Sequence, residues 1–323
     1  MFFIPRFLKP KKNIVKILRI HTGIYKKVNV KRLFKSVDVY NEPLQLVFLL
    51  ATAIQKIDKN KLPKQLTGVI SHEYFGNAMT MAAFQKICKL YNKHNIPVLP
   101  QKGLVHKLLM PEIIRPMNDA DFAVPKTVYR DAIKIATDNG FHINHDMLFS
   151  ADLQMGNMGC VDVHYAIFKG SNPDMDDAIF WRAKPTSFDG LSVLMPTPED
   201  RLIIIMCEFY GNFLFEAGSR DTDIKKIFAT HPLWVLDAYD IIKKHSLNWG
   251  QLMRTAQMSG YSYQIKILTR LLNKILPGTV SGHACKVIDS MCPDSVVNKY
   301  LKRDKKIVQI HSKNHKRYIK EDL

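Results

Sequence analysis

Two short stretches, RPMNDADFAV at 115–124 and GCVDVHYAIF at 159–168, constrain this chain more than any other part of it. Each alternates polar with apolar residues at a period of two, the period of a pleated strand whose successive side chains point to opposite faces. In the first, Asp119 and Asp121 share one face while Ala120 and Phe122 share the other. In the second, Val161 and Val163 turn toward a core, and Asp162 and His164 turn away from it. Asp119 and Asp121 then stand about 7 Å apart at Cα, twice the rise per strand residue. Carboxylates that close repel one another and are costly to bury unless a cation lies among them. Laid beside the first strand, the second brings in Asp162 as a third acid, and hard oxygen ligands suit Mg²⁺ (or Mn²⁺). Such a cluster can hold two ions, one activating an attacking hydroxyl and one gripping a triphosphate and its leaving pyrophosphate.

An Asp-x-Asp pair by itself is more often a solvated strand face, and Pro116 and Pro125 around it also allow a loop. The third acid and a further segment weigh against that. IPVLP at 96–100 reads as a strand and is followed at once by QKG and by LVHKLLM, a helix ended at Pro111. A glycine at that turn, Gly103, lets backbone approach a phosphate, the helix N-terminus offers free N–H groups, and Lys102 adds a point charge. Two readings are open for His164, facing a nucleotide or packing with a hydrogen bond, and two for Arg115, a phosphate contact or an ordinary surface residue.

Around these segments helical periodicity dominates. PLQLVFLLATAIQKI (43–57) is apolar almost all round, and a helix from about Tyr74 to His94 should bury Phe75, Met79, Met81, Phe84, Ile87 and Leu90, with KLPKQLTG a loop between the two. ADFAV, FHINH, CVDVHYAIF and LSVLM read as strands, and TVYRDAIKIATDNG as a helix capped by Gly140. TPEDRLIIIMC opens a helix with Thr197 as cap, Pro198 in the first turn and early acids; further helices cover 221–244, 248–258 and 261–276, with two more beyond.

Net charge sets the classes of partner. The 323 residues carry +18, and no acid precedes Asp38. Such an excess attracts polyanions: nucleic acid, nucleotides or an anionic membrane. Within the first 35 residues Arg6, Lys9, Lys11 and Lys12 interrupt any secretory signal, and no stretch approaches the length of a membrane span. IVKILRI leaves peripheral membrane contact open beside the simpler reading of a basic arm packed on the domain. The five cysteines are dispersed with no CxxC spacing, which fits a reducing cytoplasm and small core residues.

PVLPQKG, RPMNDADFAV, GCVDVHYAIF and the TPEDRLIIIMC helix together resemble a family of largely uncharacterised bacterial nucleotidyltransferases within the polymerase-β superfamily. The resemblance covers about residues 43–278. It implies that Asp119, Asp121 and Asp162 bind metal and act in catalysis, and it gives Lys102 and Gly103 the phosphate side of the nucleotide site. Arg115 and His164 stand as further nucleotide-binding candidates. Leu104 follows Gly103 where the superfamily usually has a second small residue, Ala120 and Tyr165 replace the family's Ile and Trp, and Glu208 lies near a position that tends to be His.

The expected fold is α+β: a mixed-sheet nucleotidyltransferase core over 95–196, with a basic arm at 1–41, N-terminal helices at 42–94 and a C-terminal helical domain with a basic tail at 197–323. The expected activity moves an NMP from an NTP, ATP among them, to an acceptor hydroxyl or phosphate, in the cytoplasm. RNA suits the charge as acceptor; a small molecule or a protein side chain competes with it. The alternative is a catalytically inactive protein of this fold that binds nucleic acid or a protein partner.

Overall fold

A computed structural model describes residues 10–25, 28–111, 115–168, 173–218 and 231–304. In chain order, helices α1 (Lys12–His21), α2 (Val30–Phe34), α3 (Leu44–Ile57) and α4 (Lys64–Lys93) lead to strand β1 (Leu99–Pro100) and α5 (Lys102–Leu109). Then come β2 (Asp119–Ala123), α6 (Tyr129–Asp138), β3 (His142–Asp146), β4 (Ser150–Gln154) and β5 (Cys160–His164). After α7 (Pro173–Arg182), β6 (Lys184–Phe188) and β7 (Leu191–Met195), the chain is helical: α8 (Pro198–Gly218), α9 (Leu233–Lys244), α10 (Trp249–Met258), α11 (Ser262–Ile275), α12 (Gly282–Met291) and a last helix over 294–304. The class is α+β. Part of the helix expected over 221–244 lies outside the described residues.

The chain divides into two compact units, Gly68–Ile204 and a second made of Met1–Thr67 with Ile205–Leu323. The first holds a five-stranded sheet in the order β1-β2-β5-β4-β3. Only the β2–β5 pair is parallel; it sets Asp121 opposite Asp162 and Ala123 opposite His164. One face of the sheet is apolar: Ala120, Phe122, Val161, Val163 and Leu153 are fully buried. Phe122 meets Phe84 and Tyr91 of α4 edge-on, with ring centroids 5.8 and 6.1 Å apart, and the Tyr91 hydroxyl donates to the Ala132 carbonyl of α6 at 3.0 Å.

Three expectations are corrected. The segment read as a loop before α4 is helical from Lys64 onward, because Pro63 stands just outside the first turn, where it costs no hydrogen bond. Phe75 is 66% exposed, and the buried positions in that part of α4 are the polar Glu73, Asn77 and Thr80. β4 and β6 were not expected. β6 and β7 form a separate two-stranded hairpin whose turn, Asp189-Gly190, has positive φ at both residues, as a tight primed turn requires.

In the second unit α1 packs on α3, burying Ile14, Ile17 and Leu18 completely, and α3 is buried along most of its length as its all-apolar sequence requires. Arg19 donates from Nε to the Ile275 carbonyl at 2.7 Å, tying α1 to the end of α11. The basic segment is thus part of a packed helical unit from Pro10 on. Asp304, fully buried, accepts from the hydroxyls of Tyr210 at 2.9 Å and Tyr263 at 3.1 Å on one oxygen, and from Arg303 at 3.1 Å on the other.

Candidate active site

The polar face of the sheet carries Asp119 and Asp121 from β2, Asp162 and His164 from β5, and Ser150 and Asp152 from β4, paired in register with His164 and Asp162. His164 is nine-tenths buried or more and stands between two acids: its Nε2 is 3.2 Å from Asp121 Oδ1 and 3.0 Å from Asp162 Oδ2. Lys102 Nζ lies 2.5 Å from the same Asp121 oxygen. The structure therefore brings Asp121, Asp162, His164 and Lys102 into one cluster. Asp119 is within electrostatic reach of it on the same strand face.

Burial and charge set opposite states for the two acids of β2. Repulsion from Asp121, with burial added, pushes the Asp119 carboxyl well above the usual carboxylate range. Burial also opposes ionisation of Asp121, but Lys102 and His164 overcome it and hold that carboxyl well below the usual range. Asp162 is likewise lowered against its burial, through His164 and a hydrogen bond from Ser150. For His164, burial favours the neutral ring, yet its bonds to Asp121 and Asp162 raise the imidazole to about 9.

The start of α5 shows why Lys102 reaches in. Gln101 donates its backbone N–H to the Asp121 carbonyl at 2.9 Å, so the turn is fastened to β2. Lys102 then adopts φ +46°, a left-handed conformation that costs a residue with a Cβ roughly 1–2 kcal/mol. Gly103 lies against Arg115. A Cβ there would fall 2.2 Å from the Arg115 guanidinium, so in this structure the glycine makes room for Arg115. Arg115 in turn donates to the Pro116 carbonyl at 3.1 Å.

Sequence reasoning missed four contributors. Asn77 of α4 donates to the Arg115 carbonyl at 2.7 Å and accepts from Met117 N–H at 3.1 Å, holding the entry to β2. Ser150 and Asp152 belong to the strand that was not expected, although SADLQ alternates as a strand should. Tyr129 places a hydroxyl within electrostatic reach of Asp162, which helps raise that phenol to about 12 after burial. Asn77 and Tyr129 carry no sequence signal, since each acts through a contact distant along the chain.

The donor set fits a divalent cation. Asp121, Asp162 and His164 each offer a ligand atom, all within 4.8 Å of one another. Asp162 Oδ1 is buried and accepts no hydrogen bond from the described residues, an orphan that a cation would satisfy. Converging acids on neighbouring parallel strands, beside a helix start that delivers a lysine, place this α+β protein among the nucleotidyltransferases. More closely, it belongs to the family described as "uncharacterised nucleotidyltransferase", whose profile matches residues 43–277.

No curated protein matches the chain. Among solved structures it is similar to the lincosamide antibiotic adenylyltransferase LnuA in its lincomycin-bound form, at 19% identity over 37% of this chain and 82% of that one, with a TM-score of 0.30. It is similar to ANT(2")-Ia in complex with adenylyl-2"-tobramycin at 13% identity over 59% and 97%, with a TM-score of 0.35. It is also similar to an antigenic nucleotidyltransferase-like protein from Paracoccidioides brasiliensis at 15% identity over 66% and 92%, with a TM-score of 0.41. Among the described residues no helix is long and apolar enough to cross a membrane.

Proposed function

We propose that this protein transfers an NMP from an NTP to an acceptor hydroxyl or phosphate and releases pyrophosphate. The observation that carries the reading is the convergence of Asp121, Asp162 and His164 within 4.8 Å, with Asp119 on the same face. Asp119, Asp121 and Asp162 are the residues proposed to hold Mg²⁺ or Mn²⁺. A divalent ion bound there supplies activation of the acceptor hydroxyl and neutralisation of the triphosphate. Lys102 meets the triphosphate as a point charge from the start of α5, and Arg115, packed over Gly103, stands on the same side. Asp162 orients the acceptor and takes its proton as the acceptor oxygen bonds to the α-phosphorus. The bond from that phosphorus to the bridging oxygen breaks, and the electron pair leaves with pyrophosphate.

The acceptor proposed is RNA, because a chain of +18 concentrates polyanions, and the compartment proposed is the cytoplasm. The test supplies each labelled NTP with Mg²⁺ or Mn²⁺ and total cellular RNA. Label should enter RNA with one NTP, fall steeply between low and moderate salt, and vanish in Asp119→Ala and Asp121→Ala. Transfer that survives in both variants overturns the reading.

A further inference from the structure

In the helical unit, residues of α1 and α2 together with Pro10, Tyr25, Val28 and Asn29 line an open cavity of about 590 Å³. Lys12, Lys16, Arg19 and Arg32 line it, and no acid does. Arg19 is engaged with the Ile275 and Lys274 carbonyls and the Tyr25 hydroxyl. The side chains of Lys12, Lys16 and Arg32 make no ion pair or hydrogen bond among the described residues. Three uncompensated cations around one concavity repel each other, a cost that an anionic ligand relieves.

Apolar and aromatic residues share the lining. Val15 and Val28 contribute, and so does Tyr25, a residue 38% exposed, with Arg19 Cζ 5.6 Å from its ring centroid and Arg19 Nη1 donating to its hydroxyl at 3.0 Å. An aromatic ring and two valines sharing one concavity with cations suit a nucleotide, its base on the ring and its phosphates on the cations. A lipid surface fits less well. Insertion needs an unpartnered apolar helix face, and α1 spends its own, Ile14, Ile17 and Leu18, on the interior of the unit.

We propose that this cavity binds a single-stranded polynucleotide, one unstacked base resting on Tyr25 and the flanking phosphates meeting Lys12, Lys16 and Arg32. The site uses none of the carboxylate cluster, so it goes beyond the transfer reaction proposed above, and the two fail separately.

The probe is a short fluorescent oligouridylate, with its deoxy counterpart, uridine monophosphate and phosphatidylserine vesicles as parallel arms. The full-length protein should bind the oligomer with an affinity that falls with salt. Lys16→Glu with Arg32→Glu should weaken binding tenfold or more, at roughly the cost of two lost phosphate contacts and two introduced repulsions. The milder pair Lys16→Gln and Arg32→Gln keeps the result interpretable if charge reversal disturbs α1. Tyr25→Ala should weaken binding by roughly fivefold or more and leave the salt slope unchanged, because stacking carries no counterion release. Asp121→Ala should bind as the parent does, even if it transfers nothing. Equal binding by the charge variants overturns the proposal. So does a mononucleotide that binds as tightly as the oligomer, or vesicle binding that the same variants abolish while oligomer binding persists. Agreement of the ribo and deoxy arms supports a site that reads backbone and stacking.

Discussion

Both units of this protein bury charge, and they do it in opposite ways. In the helical unit the buried carboxylate of Asp304 is surrounded by donors: two tyrosine hydroxyls on one oxygen and an arginine on the other. In the sheet unit acids converge on one another, Lys102 and His164 crowd onto a single oxygen of Asp121, and Asp162 Oδ1 has no partner among the described residues. A satisfied cluster fixes a packing arrangement. An acid-rich one meets its repulsion by pushing Asp119 toward protonation and holding His164 protonated, a balance that a bound cation shifts. The first is a satisfied polar centre; the second is the reaction site proposed above.

That contrast is open to direct attack. The largest effect should be in Asp121→Ala, where transfer falls by about a thousandfold or more while the fold holds, since the lost ion pair with Lys102 is offset by relief of Asp119. Urea unfolding followed alongside the transfer assay checks both halves. A variant that is inactive because it no longer folds would break the distinction.

Asp304→Ala should do the reverse. It strands the hydroxyls of Tyr210 and Tyr263 in a buried site, and about 3 kcal/mol of stability should go with them, read from the urea midpoint. A loss below about 1 kcal/mol would mean the satisfied network is not what holds that region.

A smaller effect concerns pH, and its sign differs between the units. His21, on α1, bonds to the Leu49 carbonyl at 2.9 Å, and its pKa is pushed down to about 4 by burial, with the Lys56 charge adding to the shift. Between pH 6.5 and 4 the unfolded chain takes up the proton first, so the helical unit should lose stability as pH falls, by at most about 3 kcal/mol. His164 is held protonated up to about 9, so without divalent ions its contribution is complete below pH 6.5 and is lost as pH rises through 9. Hydrogen exchange of peptides from 12–57 and from 119–164, measured in chelator across that range, should show opposite slopes. Parallel slopes would refute one of the two assignments.

Much of this was legible from residue order. Alternation predicted which side chains of β2 and β5 share a face. The family resemblance, expected over about 43–278, agrees with a profile match over 43–277. The dipeptide Asp189-Gly190 is itself a hairpin signal, and Pro63 marks a helix start rather than the expected loop.

What the sequence determined alone is what the backbone decides within a few residues: the pleat that puts Asp119 with Asp121 and Asp162 with His164, and a Lys-Gly turn leading into α5, a helix expected from Leu104 and found from Lys102. The tertiary structure decided that β2 and β5 lie side by side and parallel with Asp121 level with Asp162, that β4 adds Ser150 and Asp152, and that Asn77 grips the strand from a helix about forty residues away. It also decided that the apolar face of α1 is spent inside the fold, leaving its cations to face solvent. Strand neighbours and buried faces are selected by the packing of segments far apart in the chain, and no local preference of a residue carries that information.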